Sequence, residues 1–169
     1  MLASNSFKEE LNDSYPKLWR FCLALTGRYD LAQDLAQATS LRALEKHELF
    51  EPGTRLDLWL FRMGRRVWLN DIRAQSVRRG QGLVSVEDAG LADTAPDAIS
   101  NIFGREVLDK VMALPEAQRV TVLLVYVDGY KYAEAAEILD IPVGTIMSRL
   151  SAARSKLASD LKDARDGSR

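Results

Sequence analysis

The segment DIPVGTIMSRLSAARSKL, residues 140–157, decides the fold class of this chain. It opens with a turn at Asp140-Ile141-Pro142 and continues as an amphipathic helix. Its apolar residues recur at i, i+4, i+7 and i+11, so they form one buried stripe: Ile146, Leu150, Ala153 and Leu157. The opposite face is small, polar and basic, with Thr145, Ser148, Arg149, Ala152, Ser155 and Lys156. A face of this kind fits against a major groove without clashing.

A short helix over Tyr132–Leu139 precedes this segment, and the pair is typical of a helix-turn-helix motif. In that motif Thr145 and Ser148, near the helix start, meet phosphates or base edges, and Arg149 addresses guanine. Two packed amphipathic helices with no role in DNA binding produce the same pattern. The residues of this segment alone leave both interpretations open.

Helical spacing of apolar residues continues through most of the chain, and no strand-like alternation appears. We expect helices over about residues 7–26, 29–46 and 56–76, with Pro16 interrupting the first. After residue 105, helical patterns include Val107 to Met112, and then Val120, Leu123, Leu124 and Val127 beyond Pro115. The sequence therefore predicts an all-α protein with two small helical domains, residues 7–79 and 105–162. Residues 80–104 are expected to be a flexible acidic linker.

The net charge of −1 over 169 residues hides strong local contrasts. Residues 62–79 hold six arginines and one acid, whereas residues 80–100 hold four acids and no base. The single cysteine, Cys22, lies on an apolar stripe and is expected to be a buried thiol. With one histidine, His47, far from it, the usual zinc spacings are absent. There is no catalytic dyad or phosphate-binding loop, so we expect neither enzymatic activity nor a metal or cofactor.

The start of the chain has no secretory leader, and no run of about 18 apolar residues occurs. We therefore expect a cytoplasmic protein with no membrane insertion.

The third expected helix carries a basic stripe beside aromatic residues. Helical geometry places Leu60, Met63, Val67 and Ala74 on one flank, which we expect to face the core. Arg62, Arg66 and Arg73 share the far side with Arg65 adjacent, and Phe61, Trp68 and Ile72 form a third strip. Arginines neutralise phosphates and aromatic rings stack on unpaired bases, so the pattern suits melted nucleic acid. A solvated polar face with its aromatic residues in the core explains the pattern equally well.

Three segments, in order, resemble the extracytoplasmic-function sigma factors, the smallest specificity subunits of bacterial RNA polymerase. LTGRYDLAQDLAQATSLRAL resembles the family's helix for binding the core polymerase, and WLFRMGRRVWLNDIR resembles its promoter-melting helix. LPEAQRVTVLLVYVDGYKYAEAAEILDIPVGTIMSRLSAARSKL resembles its helix-turn-helix domain. The resemblance covers about residues 10–79 and 105–160. It implies sigma domain 2 over residues 7–79 and sigma domain 4 over residues 105–162.

The resemblance assigns expected roles to individual positions. Asp34, Gln37 and Leu41 would contact the clamp helices of the largest polymerase subunit. The minus-10 element would be bound by Arg62, Arg65, Arg66, Trp68, Asn70 and Arg73, and an unstacked minus-10 base would be captured by the loop of Pro52, Gly53, Thr54 and Arg55. The minus-35 element would be read by Thr145, Ser148, Arg149, Ala152 and Arg154.

Several positions depart from the family pattern. Arg66 stands where asparagine is frequent and Asn70 where aspartate is frequent, and neither change opposes DNA binding. Ser40 replaces a usual aromatic residue. Met147 replaces a common lysine and Ala152 a common arginine, so we expect a weaker nonspecific attraction of this helix to phosphates.

The resemblance implies a dissociable initiation factor whose partners are the RNA polymerase core, promoter DNA and an anti-sigma factor. The segment FEPGTRLDLWLF, residues 50–61, resembles a subgroup that serves general stress responses. Two alternatives stay open: a two-domain transcription regulator that does not dock on polymerase, and a sigma mimic that titrates an anti-sigma factor without touching DNA.

Overall fold

A computed structural model describes residues 3–78, 80 and 102–166, and the regular structure of these residues is helical throughout. The helices are α1 (Asn5–Thr26), α2 (Tyr29–Glu45), α3 (Leu56–Arg78), α4 (Ile102–Met112), α5 (Glu116–Val122), α6 (Tyr132–Leu139) and α7 (Val143–Asp166). A 3-10 turn, His47–Leu49, follows α2, and a π turn, Leu123–Val127, follows α5. The prediction of an all-α fold is confirmed.

The chain divides into two compact units, Met1–Ala92 and Asp93–Arg169. Most of the predicted linker, residues 81–101, lies outside the described residues. The predicted domain limits therefore stay predictions.

Helix α1 is continuous through Pro16, so the expected interruption does not occur. The Ser4 hydroxyl accepts a hydrogen bond from the Phe7 backbone amide at the start of the helix. At the other end, Gly27 takes a left-handed conformation (φ 69°), and its amide donates to the Leu23 carbonyl oxygen at 2.8 Å. Pro16 is exposed, and the helix continues because Leu11 and Leu18, on either side of it, are both buried.

The core of the first unit lies between α1, α2 and α3. The rings of Phe21 and Phe61 stack with centroids 4.6 Å apart, and both side chains are fully buried. Thr39 of α2 is also fully buried, and its hydroxyl donates to the Leu35 carbonyl oxygen at 2.7 Å. A polar group at this depth is acceptable only because that hydrogen bond satisfies it.

The core-facing side of α3 differs from the prediction. The buried residues are Leu56, Leu60, Phe61, Gly64 and Trp68, whereas Met63 and Val67 are half-buried and Ala74 is exposed. On the helix circumference Gly64 lies between Leu60 and Phe61, so the core side spans two of the predicted strips. Trp68 is the last buried residue of α3, so Ala74 lies beyond the packed part of the helix.

A side chain of α5 caps the end of α4. Arg119 of α5 donates through Nη1 to the carbonyl oxygens of Met112 and Leu114, both at 3.1 Å.

The winding of the chain changes directly after α5. The π turn uses i→i+5 hydrogen bonds, such as Asp128 N to Leu123 O at 2.9 Å. The wider turn shifts the following side chains around the axis. Leu124 is buried as expected, but Val127, predicted on the same stripe, is 59% exposed.

The predicted turn and helix of the opening segment are present. Asp140 ends α6 in a left-handed conformation (φ 51°), and the Ile141 amide donates to the Ala136 carbonyl oxygen at 3.0 Å. This turn redirects the chain into α7, where Ile146, Leu150 and Ala153 are buried in the core of the second unit and Leu157 is half-buried. The predicted stripe is confirmed for its first three members.

Cys22 is fully buried on α1, and burial raises the pKa of its thiol to about 12. We expect a thiol-labelling reagent such as dithionitrobenzoate to leave the folded protein unmodified at pH 8 and to react fully in denaturant.

The raised pKa of Cys22 also makes the stability of the fold depend on pH. Because the pKa of the thiol in the folded protein exceeds the unfolded value of about 8.5, only the unfolded chain loses this proton just above pH 8.5. Denaturant titrations should therefore show stability falling as the pH rises from about 8.5 toward 12, and Cys22→Ala should reduce the fall.

Candidate functional site

Helix α2 presents one exposed face that carries the predicted polymerase-binding residues. Asp34 and Gln37 are exposed, and Leu41 is 60% exposed although it is a large apolar side chain. The opposite side of the helix is buried through Ala32, Leu35, Ala36, Thr39 and Ala43. Ser40, which replaces a usual aromatic residue, is half-buried and donates to the Ala36 carbonyl oxygen at 2.9 Å. The face thus offers an acid, an amide and an apolar side chain within two helical turns.

Two arginines of the basic stripe of α3 are exposed, together with the neighbouring Asn70. Arg66, Asn70 and Arg73 are exposed, and Arg62 and Arg65 are half-buried. This arrangement leaves cationic and polar groups where a phosphate backbone can approach them.

Trp68 does not lie where stacking on a base requires it. Its side chain is only 6% exposed, and Phe61 is fully buried. A ring inside the core cannot stack on an unpaired base unless the helix packing opens. For these two aromatic residues the core interpretation is the correct one, while the arginine stripe beside them remains on the surface.

The loop predicted to capture a base projects into solvent at all four positions, Pro52, Gly53, Thr54 and Arg55. Gly53 takes a positive φ of 87°, which favours glycine at this turn. The Thr54 hydroxyl donates to the Glu51 carbonyl oxygen at 2.7 Å. Arg55 donates to both carboxylate oxygens of Asp57, from Nε at 2.9 Å and from Nη2 at 2.7 Å. These hydrogen bonds, one within the loop and two from Arg55 to Asp57 in the first turn of α3, restrain the loop.

An aromatic cluster holds both ends of this loop. Phe50, just before it, and Trp59, just after it, have ring centroids 5.5 Å apart. Phe7 of α1 packs on both, at 5.8 Å from Phe50 and 6.4 Å from Trp59, and His47 lies 6.0 Å from Phe7. Sequence patterns do not reveal this cluster because Phe7 is more than 40 residues away from the loop, and no periodic pattern links them.

Helix α7 exposes a broad face opposite its buried stripe. Ser148 and Ala152 are exposed there, and Thr145 and Arg149 are half-buried toward its edge. Ser151 and Met147 are also exposed, Met147 by 55%, and the predicted set omitted both. Ser151 follows Ser148 by three residues, so the i+3 spacing was the signal for it.

Arg154 lies on a different side of α7 from the other predicted minus-35 residues. Six residues along an α-helix correspond to a rotation of about 240°, so Arg154 is about 120° away from Ser148. Its Nη1 donates to the Tyr126 hydroxyl of the π turn at 3.1 Å. Arg154 therefore lies apart from the other predicted minus-35 residues, and its assignment to that set stays a prediction.

Among the described residues, no helix is long and apolar enough to cross a membrane. The same residues hold no group of three or more histidine, cysteine or acidic side chains that could bind a metal ion.

Both units of the chain match models of known protein families. The sigma-70 region 2 model matches residues 11–78, and the sigma-70 region 4 model matches residues 104–157. These ranges contain α2 and α3 in the first case, and the π turn, α6 and α7 as far as Leu157 in the second.

Individual relatives agree with these matches. The ECF RNA polymerase sigma factor EcfG of Rhodopseudomonas palustris strain TIE-1 is 35% identical over 162 residues, covering 94% of this chain and 87% of the relative. SigW of Bacillus subtilis, another such factor, is 27% identical and covers 87% and 84%. Among solved structures, the sigma factor RpoE of Bartonella quintana, in complex with the anti-sigma factor NepR, superposes with a TM-score of 0.72 at 30% identity, covering 94% of this chain and 98% of that one.

Proposed function

Because this chain belongs to the extracytoplasmic-function group of sigma-70 RNA polymerase sigma factors, we propose how its exposed faces divide the work of directing promoter-specific initiation. The α2 face of Asp34, Gln37 and Leu41 docks on the clamp helices of the polymerase core. The exposed α3 residues, Arg66, Asn70 and Arg73, hold the minus-10 strand, and the 52–55 loop captures an unstacked base. The groove-facing side of α7 reads the minus-35 element.

One observation carries the proposal: each unit has its own family match, and each exposes helix faces at the matched positions. Leu41 is the sharpest case, because a 60% exposed leucine beside an acid and an amide suits a partner surface better than it suits solvent. The polymerase supplies nucleotidyl transfer, and we propose that this chain performs no chemistry of its own and acts in the cytoplasm.

Regulation is the second part of the proposal. The Bartonella relative was crystallised with an anti-sigma factor, and this chain is similar to it over nearly its whole length. We therefore propose that an anti-sigma protein also binds this chain and blocks its polymerase- and DNA-binding faces. The resemblance of residues 50–61 to the general-stress subgroup supports a stress signal as the trigger for release.

Reconstituted transcription tests the proposal. The chain is added to core RNA polymerase with a library of genomic fragments, and the transcripts are sequenced. We expect a set of start sites that depends on this chain and shares a minus-10 and a minus-35 element. The proposal fails if no promoter-specific transcript appears. A regulator that does not dock on polymerase would instead retain promoter activity after Asp34→Ala or Gln37→Ala. A sigma mimic would give no promoter-specific transcript, and its binding to an anti-sigma factor would not need Arg66 or Arg73.

Restoring a cation on α7 should strengthen its attraction to DNA. Ala152 is exposed on the groove-facing side, so Ala152→Arg adds a positive charge there without disturbing the core. Each new phosphate contact steepens the dependence of log K on log salt by about 0.9. We expect that change in fluorescence-anisotropy titrations with a labelled nonspecific DNA duplex, and a matching gain in affinity at low salt. Ala152→Gln is the uncharged control, and an equal gain from it would contradict the electrostatic explanation.

A further inference from the structure

One side-chain contact in the second unit joins two segments that are distant in sequence. Arg154 of α7 donates through Nη1 to the hydroxyl of Tyr126, 28 residues earlier, at 3.1 Å. Tyr126 belongs to the π turn, and its side chain is 49% exposed. The contact therefore links the surface of the π turn to the helix that is proposed to read DNA.

The π turn is what brings Tyr126 to this position. Its i→i+5 bonding takes more residues per turn than an α-helix, so the side chains after Leu123 are rotated relative to a continuous α5. Leu124 still enters the core, while Val127 turns to solvent. Such turns are frequent at functional positions because they redirect one side chain without ending the helix.

Arg154 lies away from the centre of the proposed groove-facing side of α7 and close to Met147 at the edge of that side. It lies about 120° from Ser148 and about 160° from Ala152 around the helix axis. One guanidinium nitrogen of Arg154, Nη1, donates to the Tyr126 hydroxyl and so links one flank of α7 to the π turn.

We propose that Arg154 is a positioning residue, which holds the reading helix α7 in register with the π turn through Tyr126 and does not itself contact DNA. The proposal rests on the proposed function for its effect on promoters, but the contact itself does not. By restricting the orientation of α7 before DNA arrives, the Arg154–Tyr126 pair reduces the ordering that binding must impose.

The first test asks whether Arg154 contacts phosphate. The full-length chain is titrated with a labelled 20-base-pair duplex of arbitrary sequence at several salt concentrations. We expect Arg154→Gln to leave the slope of log K against log salt unchanged, whereas Ala152→Arg should steepen it by about 0.9. A slope that Arg154→Gln makes shallower by about 0.9 would show a phosphate contact and overturn the proposal. This measurement needs no promoter, so it is informative even if the proposed function fails.

The second test asks whether the pair acts as a unit on promoters. We expect Arg154→Gln and Tyr126→Phe each to lower transcription from a minus-35-dependent promoter about threefold, the scale of one exposed hydrogen bond, and the double variant to lower it no further. Arg154→Lys keeps a cationic donor and should restore most of the activity. Templates on which a minus-35 element is dispensable should be unaffected by these substitutions. A general loss of stability would instead reduce transcription from both kinds of template equally. The proposal is wrong if Tyr126→Phe has no effect, if the two losses multiply, or if both template classes suffer alike.

Discussion

Leu41→Glu is expected to abolish promoter-dependent transcription while leaving the fold intact. Leu41 is 60% exposed on α2, so the substitution opens no cavity and buries no charge in the free chain. In the complex the proposed polymerase surface would have to cover a carboxylate where it now covers an apolar side chain. Loss of a hot-spot residue at the centre of an interface costs about 2 kcal/mol or more, and a carboxylate that must be desolvated there adds to it; 2 kcal/mol corresponds to about a 30-fold weaker affinity. We expect a loss of at least about that size in binding to core polymerase.

A second exposed leucine provides the matched control. Leu49 lies on the 3-10 turn after α2 and is 71% exposed, yet it is outside the proposed docking face. Leu49→Glu should bind core polymerase as the unmodified chain does. Both variants should also show unchanged thermal unfolding. If Leu41→Glu retained full affinity, or if the two variants lost affinity equally, the α2 face would not be the docking surface.

Gly64→Val is expected to destabilise the first unit by about 3 kcal/mol, the upper range for overpacking a core. A Cβ atom at Gly64 would lie 3.3 Å from the Thr39 hydroxyl oxygen and 3.8 Å from Cδ1 of Leu18. Thr39 cannot rotate away without breaking its hydrogen bond to the Leu35 carbonyl oxygen, which is buried. The two methyl groups of valine add contacts that neither α1 nor α2 has room for, so the helices must separate.

Thermal and denaturant unfolding measure this effect, with Gly144→Ala as the control. Gly144 is also helical, but a Cβ atom there meets no other atom within 4 Å. We expect Gly144→Ala to unfold at the same temperature as the unmodified chain or slightly above it. A Gly64→Val variant as stable as Gly144→Ala would mean that α2 and α3 are not held as closely as the structure places them.

Much of the fold follows from local periodicity. The stripe of Ile146, Leu150 and Ala153, the turn at Asp140, and the extent of α2 are set by spacing and turn chemistry within a few residues. The exposed face of Asp34, Gln37 and Leu41 was predictable for the same reason, since residues at i, i+3 and i+7 share a side whatever packs opposite. The resemblance to a sigma factor, confirmed by the family comparisons, rests on these same local patterns.

The sequence by itself thus determined the helical class, the helix-turn-helix and the α2 face. Only the tertiary structure decided which side of α3 is buried, because that depends on how α1 and α2 pack on it: Gly64 lies against Thr39 of α2, and Phe61 stacks on Phe21 of α1. It also decided the partner of Arg154, since the π turn shifts Tyr126 around its axis and offers a hydroxyl from 28 residues away. Periodicity describes one helix at a time, whereas these outcomes depend on how closely two segments approach each other.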